Sequence, residues 1–477
     1  MTVTTTYRSV LAVREFRVLL TGLLVYSIGF EFEILGLSVV VYAQTRSAFW
    51  AALAFGAGFA PQAVGGALLT SLADRLPPRT VITGGLLIRA APGVLIGLVP
   101  GMPVVLMLVL VAVVATTAPV FNAAIAAVLP DVLDGDRYVL GRSVLSLTSS
   151  GTQILGLGIG GAVLVLLPAR QLLLLAGCAI ALSALVRFRL RPRSARSAAS
   201  RSGRGVVRAT MAGNAVLFGD ATVRGLLLAL WLPCSLLTGA ESLIVPYTGS
   251  LGHPASAAGP LLAAVPAGML TGDVLVGRFC RPVTRQLLAF PLGLLLGAPL
   301  LPLAARPPLL AAAVLLFAAG FATAYQLGIQ QALVDSVPAA LRGQAFGLIS
   351  GGLMGGQGVL PALAGVLALA AGPGGAMALT GGGTVLTVLA LRRPLRPASA
   401  TQVGAAVDVD DLAGDVARGG RGEERHGGGD VGGGAGPAGA GLADEPLGTR
   451  VGEPAAEELA AERQAGGDHV RGDPARS

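Results

Sequence analysis

Lysine, histidine and cysteine are scarce in this chain, and their scarcity excludes several kinds of site. All 34 basic residues are arginine, so the Gly-x-x-x-x-Gly-Lys-Ser/Thr loop that binds nucleotide phosphates is absent. His253 is the only histidine before residue 397, and no cysteine–histidine spacing typical of a metal site occurs. Three cysteines, an odd number, do not indicate a disulfide framework. We therefore expect no enzyme activity, no catalytic group, no metal and no cofactor.

Charged residues are also scarce, at 13% of the chain against 53% hydrophobic residues and a mean hydropathy of +0.73. A chain of 477 residues with this composition is too apolar for a soluble protein, which predicts an integral membrane protein. Residues 107–116 are apolar on every side and do not alternate with polar residues, which favours spanning helices over barrel strands. Apolar segments of about 20 residues predict twelve spans, at 18–42, 48–72, 81–99, 102–129, 142–168, 170–186, 223–248, 257–276, 286–305, 308–333, 343–371 and 374–391.

The arginines predict how these spans are oriented. If the N-terminus lies in the cytoplasm, the outer loops contain only Arg46, Arg170 and Arg306, and the other loop arginines of residues 1–396 lie inside. The positive-inside rule therefore predicts a multi-pass protein of the cell (inner, cytoplasmic) membrane with both termini in the cytoplasm.

Two segments lie outside the predicted bundles. Residues 187–222 are rich in arginine but have few aromatic residues, so we interpret them as a cytoplasmic connecting loop on anionic lipid and expect no nucleic-acid partner. Residues 397–477 are acidic and rich in glycine and alanine, a composition that predicts disorder.

The chain resembles itself at an offset of about 204 residues. Four segments come into register at this offset, and the matches place Ser38 over Ser242, Asp131 over Asp335, Gly161 over Gly365, and Arg75 one position from Arg278. An even number of spans separates the copies, so the repeats are parallel. The sequence thus predicts two six-helix bundles, at residues 1–186 and 223–396.

Two short motifs connect this pattern to a known family. In "LADRLPPR", Asp74, Arg75 and Arg79 match a Gly-x-x-x-Asp-Arg-x-Gly-Arg-Arg pattern between spans two and three. In "GLGIGG", the glycines match a Gly-Pro-x-x-Gly-Gly pattern of span five, and the repeat copy supplies the proline. On these motifs, residues 12–396 resemble the major facilitator superfamily, and within it the bacterial enterobactin-exporter-like and macrolide-efflux-like exporters. The resemblance implies twelve helices in two halves that alternate access to a central cavity.

Charges at the cytoplasmic helix ends predict a gating network, since aspartates beside arginines can bridge helices in one conformation and separate in another. The alternative is that they are solvated loop charges that only set topology. The proposed network comprises Asp74, Arg75, Arg79, Asp131, Arg278, Arg281 and Asp335. The glycines of span five and their repeat copies predict close packing of helix backbones, at Gly156, Gly160, Gly161, Pro361 and Gly365.

Glu31 and Glu33 interrupt the apolar first span, where each carboxylate costs about 2.5 to 3.5 kcal/mol on insertion scales. A helix turns about 100° per residue, so the two side chains point about 200° apart and only one is expected to face the cavity. Glu33 is the first candidate for binding a proton or a cationic substrate, followed by Glu31 and by Glu241 in span seven. Each could instead be a hydrated carboxylate near a helix end, or one paired with a serine or an arginine.

Other polar residues also fall within predicted spans. Arg89 could be the counter-ion of a glutamate, bind an anionic group, or extend to the cytoplasmic interface. Most of the rest are expected to form interhelical hydrogen bonds, and one or two to touch substrate; they are Asp273, Gln62, Asn122, Gln153, Gln326 and Gln330.

Together these features predict a monomeric, proton-coupled exporter of a small amphipathic compound such as a drug, a siderophore or a secondary metabolite. Its partners would be that small molecule, protons and the lipid bilayer. The alternatives are an importer of a small solute and a transporter-like membrane receptor. A membrane enzyme is disfavoured because no catalytic groups cluster at one depth.

Overall fold

The computed structural model describes residues 7–69, 77–191, 203–338 and 341–395. In these parts of the chain, eleven helices are long and apolar enough to cross a membrane. Backbone groups in a bilayer must find hydrogen-bond partners within their own segment, which is why these apolar runs are helical. Spans 1 to 10 are Arg14–Thr45, Ala48–Gly66, Pro78–Leu98, Val104–Val132, Asp136–Leu166, Ala169–Arg187, Ala221–Ser250, Ala255–Phe279, Pro282–Ala305 and Leu309–Ser336, and the eleventh helix is Arg342–Ala390.

The eleventh helix contains two spans. It has 49 residues, and a continuous helix of that length would be about 74 Å long, more than twice the thickness of a hydrocarbon core. Gly372 lies within it at φ 71° and ψ 167°, a backbone conformation available to glycine but not to other residues, and Pro373 follows. Residues 342–371 are therefore span 11 and residues 373–390 are span 12. The prediction of an all-α membrane protein with twelve spans is confirmed.

Two glycine pairs repeat at the offset seen in the sequence. In the first half, Gly93 of span 3 packs on Gly177 of span 6: a Cβ on Gly93 would lie 2.8 Å from the amide nitrogen of Gly177. In the second half, a Cβ on Gly381 of span 12 would lie 2.7 Å from the carbonyl oxygen of Gly297 in span 9. Each glycine of the second pair follows its counterpart by 204 residues. The chain therefore consists of two parallel six-helix repeats with the same internal packing.

Spans 4 and 10 are interrupted at corresponding points. Span 4 consists of helices Val104–Ala115 and Ala118–Val132, and span 10 of helices Leu309–Ala322 and Tyr325–Ser336. At these breaks the Thr117 hydroxyl donates to the carbonyl of Val114, and the Thr323 hydroxyl donates to that of Gly320. The shared break is a further feature of the repeat.

The two halves meet near one side of the membrane. We call the side at which span 1 begins the N-terminal side, and the other the opposite side. Toward the opposite side, a Cβ on Gly161 of span 5 would lie 2.8 Å from the Cα of Gly259 in span 8, and a Cβ on Gly365 of span 11 would lie 2.8 Å from the Cα of Phe49 in span 2. Between the halves, the polar residues Asn122 and Ser149 toward the N-terminal side are exposed, whereas Leu157 and Leu262 toward the opposite side are buried. The halves are therefore closed on the opposite side and apart on the N-terminal side.

The segment between the halves is partly helical. Span 6 ends at Arg187, and a helix at Gly203–Gly219 precedes span 7, within the segment interpreted from sequence as a connecting loop. Its last turns dock on the second half, where Leu217 is buried and Phe218 packs against Trp231. Residues 397–477, for which disorder is predicted, lie outside the described residues.

Candidate functional site

A central cavity of about 560 Å³ lies between the two halves. Spans 1, 2, 4 and 5 line it on one side and spans 7, 8 and 11 on the other, which is the arrangement expected of a site reached by alternating access. Its lining combines aromatic and sulfur-containing residues with polar ones: Leu23, Tyr26, Ser27, Phe30, Glu31, Ile34, Phe55, Phe59, Gln62, Asn122, Ser149, Gln153, Leu157, Thr238, Glu241, Leu262, Pro266, Met269, Met354 and Gln357.

Glu31 lies on this cavity beside a glycine of span 5. A Cβ on Gly156 would be 2.8 Å from the Cβ of Glu31 and 3.0 Å from its Cγ, so only glycine leaves room for the glutamate at this point. Glu31 is 5% exposed, and it is paired with no arginine in the described part of the chain. Glu241 lines the same cavity from span 7, across the interface between the halves. The cavity therefore contains one carboxyl group from each half.

Glu33 lies on the other side of span 1 and forms an ion pair. The Arg89 Nη1 of span 3 donates to the Glu33 Oε1 at 2.7 Å, and both side chains are 3% exposed. The Arg89 guanidinium also lies 5.5 Å from the centre of the Phe30 ring. Of the three roles considered for Arg89, this placement is that of a counter-ion to a glutamate.

The two glutamates of span 1 therefore lie in different environments. They point in different directions, as the helical spacing predicts, but Glu31 lines the central cavity and Glu33 does not. Glu33 lines a small side pocket with Arg89 and Val111, and its Oε2 is buried without a hydrogen-bond partner in the described parts. Arg89 neutralises Glu33 within the first half, whereas Glu31 has no arginine partner among the described residues.

The remaining polar residues of the spans divide into two groups. Gln62, Asn122 and Gln153 line the cavity, whereas Gln326 donates a hydrogen bond to the Cys234 sulfur at 3.0 Å and Gln330 is half-buried elsewhere in span 10. Asp273 is exposed on span 8, four residues after Met269, and therefore lies on the same helix face as Met269. Met269 lines the cavity, but Asp273 does not.

The predicted gating residues are described only in part. Asp74 and Arg75 lie outside the described residues. The Arg79 guanidinium lies 3.7 Å from the centre of the Phe188 ring, which joins the start of span 3 to the end of span 6. The others are all exposed near helix ends, at Asp131, Arg278, Arg281 and Asp335.

In this open arrangement, Asp335 accepts a hydrogen bond from the Gln331 amide at 3.1 Å. It forms no ion pair with Arg278 or Arg281, all three lying within the described residues. The partnership predicted for the second half is thus absent from this conformation, and the gating role of these charges stays a prediction.

The motif glycines serve two different contacts. Gly156 and Gly160 face span 1 within the first half, where a Cβ on Gly160 would lie 3.0 Å from Leu35 Cδ2. Gly161 and Gly365 lie at the contacts between the halves. Pro361 also lies at a contact between the halves, since a Cβ on Gly56 of span 2 would be 3.1 Å from the Pro361 Cβ.

Sequence reasoning missed two residues near the site. Gly259 is the partner of Gly161, and an isolated glycine at the start of a span carries no signal of its own. Arg187 ends span 6 with its side chain 2% exposed and its guanidinium 5.9 Å from the Tyr26 ring centre. Its position next to the arginine-rich loop made it look like a loop charge.

Comparisons with known proteins agree with this architecture. The family model described as Major Facilitator Superfamily matches residues 18–338. A comparison with curated proteins finds no match.

Solved transporter structures share the fold. The chain is similar to a POT family transporter in complex with a thioalcohol-conjugated peptide, with 11% identity, a TM-score of 0.62 and coverage of 80% of this chain and 96% of that one. It is also similar to the nucleoside transporter NupG, with 14% identity, a TM-score of 0.63 and coverage of 80% of this chain and 100% of that one. A third similar structure is that of a bacterial homolog of the human lysosomal transporter Spinster, in an inward-facing and unoccupied conformation. The identity is 18%, the TM-score is 0.58, and the match covers 80% of this chain and 95% of that one. At these identities the likeness is one of fold alone.

Proposed function

The chain belongs to the Major Facilitator Superfamily, and from this premise we propose that it is a proton-coupled exporter that moves a small amphipathic compound by alternating access. The observation that carries the proposal is the central cavity with one carboxyl group from each half, Glu31 and Glu241. We place the protein in the cell membrane as a monomer with both termini in the cytoplasm, following its arginine distribution.

We assign the coupling proton to Glu31. A carboxyl group couples transport if it binds and releases a proton when the cavity changes sides, so it must reach the cavity and must not be neutralised permanently. Glu33 meets neither condition: it does not line the cavity, and it is paired with Arg89 at a distance of 2.7 Å. Glu31 meets both conditions, and the absence of a side chain at Gly156 leaves room for it beside the cavity.

The direction of transport rests on the resemblance to exporters and on the span-five glycine pattern. In the structure the cavity opens toward the N-terminal side, from which a cytoplasmic compound would enter if the predicted orientation holds. The opposite direction, import, uses the same cavity and the same two conformations, so an assay must be able to detect either.

The test uses purified protein in proteoliposomes with an imposed pH gradient and a panel of amphipathic compounds. Two assays are compared: accumulation driven by the gradient, and exchange of labelled for unlabelled compound without a gradient. For Glu31→Gln we expect gradient-driven accumulation to fall to background while exchange persists at saturating compound concentration, because the substitution keeps the shape but removes the ionisable group. Glu31→Asp is the matched control, since it retains a carboxyl group and should keep part of the driven transport.

Several results would contradict the proposal. Normal accumulation by Glu31→Gln would assign the proton to another residue, with Glu241 next. Accumulation in the direction of import would replace the exporter by the importer. Binding without movement of any compound would favour the receptor.

A further inference from the structure

We propose that the transported compound is an organic cation with an apolar body, bound between Glu31 of the first half and Glu241 of the second. This inference rests on the proposed transport function and adds the chemical class of the cargo.

The charges around the cavity support a cation. Glu31 and Glu241 are its only charged lining residues within the described parts of the chain. Neither buried arginine nearby lines the cavity: Arg89 is paired with Glu33, and Arg187 packs against Gly22 and Tyr26. With either carboxyl group ionised, the cavity carries negative charge in a low-dielectric surrounding, where attraction to a cation and repulsion of an anion are strong.

The rest of the lining supports an apolar body of moderate size. Phe30, Phe55 and Phe59 from the first half and Met269 and Met354 from the second face the same space. Aromatic faces attract cations, and methionine side chains adapt to ligands of different shape. A volume of about 560 Å³ lies within the range of pockets that enclose drug-sized molecules.

The location of the two carboxyl groups connects binding to the conformational change. Each half contributes one group, so two ionised carboxylates repel one another across the interface, and a cation between them attracts both. A bound cation therefore favours arrangements that keep the two halves close around the cavity, whereas an anion is repelled by both carboxylates. Among the compound types expected from the exporter resemblance, this disfavours acidic siderophores and favours basic drugs or metabolites.

The test compares two hydrophobic ions of nearly equal size and opposite charge, tetraphenylphosphonium and tetraphenylborate. Binding of each is measured by equilibrium dialysis to purified wild-type protein and to the Glu31→Gln/Glu241→Gln variant in the same detergent, so that partition into micelles cancels in the difference. We expect saturable binding of tetraphenylphosphonium to the wild type, weakened at least about tenfold in the double variant. Tetraphenylborate should show no saturable binding to the wild type.

Controls separate this inference from misfolding and from the proposed function. Asp136→Asn removes an exposed carboxylate at the start of span 5, outside the cavity, and should bind like the wild type. The elution volume and melting temperature of the double variant report on its folding, and single Gln variants serve if it is unstable. Absence of saturable tetraphenylphosphonium binding to folded wild type, equal binding by folded Gln variants, or tighter binding of tetraphenylborate overturns the inference.

Because binding is measured without a gradient, cation binding without driven transport would reject the coupling and leave the cargo class standing. Driven export of acidic compounds would reject the cargo class and leave the exporter standing.

Discussion

Glu31 and Glu33 show how two similar residues, two positions apart, acquire different environments. The helical period predicts that they diverge by about 200°. Which of them meets the cavity follows from the packing of span 1, and which is neutralised follows from its packing against span 3, where Arg89 lies 56 residues away in sequence. Sequence could therefore predict the divergence and the possibility of a counter-ion, but not which glutamate the arginine would neutralise.

The Glu33–Arg89 pair should be essential for stability. Arg89→Leu leaves a buried carboxylate without its partner, which costs about 3 to 5 kcal/mol in proteins. We expect a large drop in the melting temperature of the purified protein. The double variant Glu33→Gln/Arg89→Leu should recover most of this loss, because it leaves no unpaired charge. If the Arg89→Leu variant is as stable as the wild type, the ion pair is hydrated and contributes little to the stability of the protein.

Gly156 should be required for transport through its contact with Glu31. In Gly156→Ala the new Cβ would lie 2.8 Å from the Glu31 Cβ, so the glutamate or span 5 must shift and we expect at least about a tenfold loss of driven transport, since misplacement by about 1 Å costs as much as 100-fold. Gly158→Ala is the matched control on the same helix, where a Cβ meets nothing within 4 Å. Equal transport by both variants would reject a positioning role for Gly156.

At the scale of helices, the repeat is more regular in packing than in sequence. The pairs Gly93–Gly177 and Gly297–Gly381 join the third and sixth spans of each half. Among 69 glycines only Gly161 and Gly365 contributed to the sequence match, within a motif, and the pairs Gly93–Gly177 and Gly297–Gly381 were overlooked. The span boundaries were predictable because apolar runs and turns alternate clearly, and even the division at Gly372 falls between two predicted spans. The helix at Gly203–Gly219 was not predictable from sequence, since its arginine-rich composition is also typical of a loop.

These glycine contacts make a prediction that applies to both halves. Gly93→Ala and Gly297→Ala place a Cβ against backbone atoms of the neighbouring helix, and overpacking of this kind typically costs about 1 to 3 kcal/mol. Gly84→Ala lies on the same span as Gly93 with nothing within 4 Å of its Cβ. It should be neutral or stabilising by up to about 1 kcal/mol, because alanine is the better helix former. Thermal unfolding of the three variants measures the difference, and similar melting temperatures would mean that the helices separate without cost.

At the scale of the whole molecule, the closed contacts lie on one side and the open cavity on the other. Sequence could not predict this state, because an alternating-access protein must hold at least two arrangements that differ by only a few kcal/mol. The same reason explains why the predicted charge network of Asp335 with Arg278 or Arg281 is absent here: an interaction that forms in one state is not required in the other.

Cysteine labelling tests both the orientation and the open side. In a variant with Cys178, Cys234 and Cys280 replaced by alanine, we compare Gln153→Cys, in the cavity, with His253→Cys, exposed in the loop between spans 7 and 8. A maleimide that does not cross membranes should label the His253→Cys variant in intact cells and the Gln153→Cys variant in inside-out vesicles, because the cavity opens toward the side of the termini. Labelling of both from the cytoplasmic side would contradict the twelve-span topology. Labelling of the Gln153→Cys variant in intact cells alone would show that the resting protein opens outward, and labelling from both sides would show that the two states exchange without cargo.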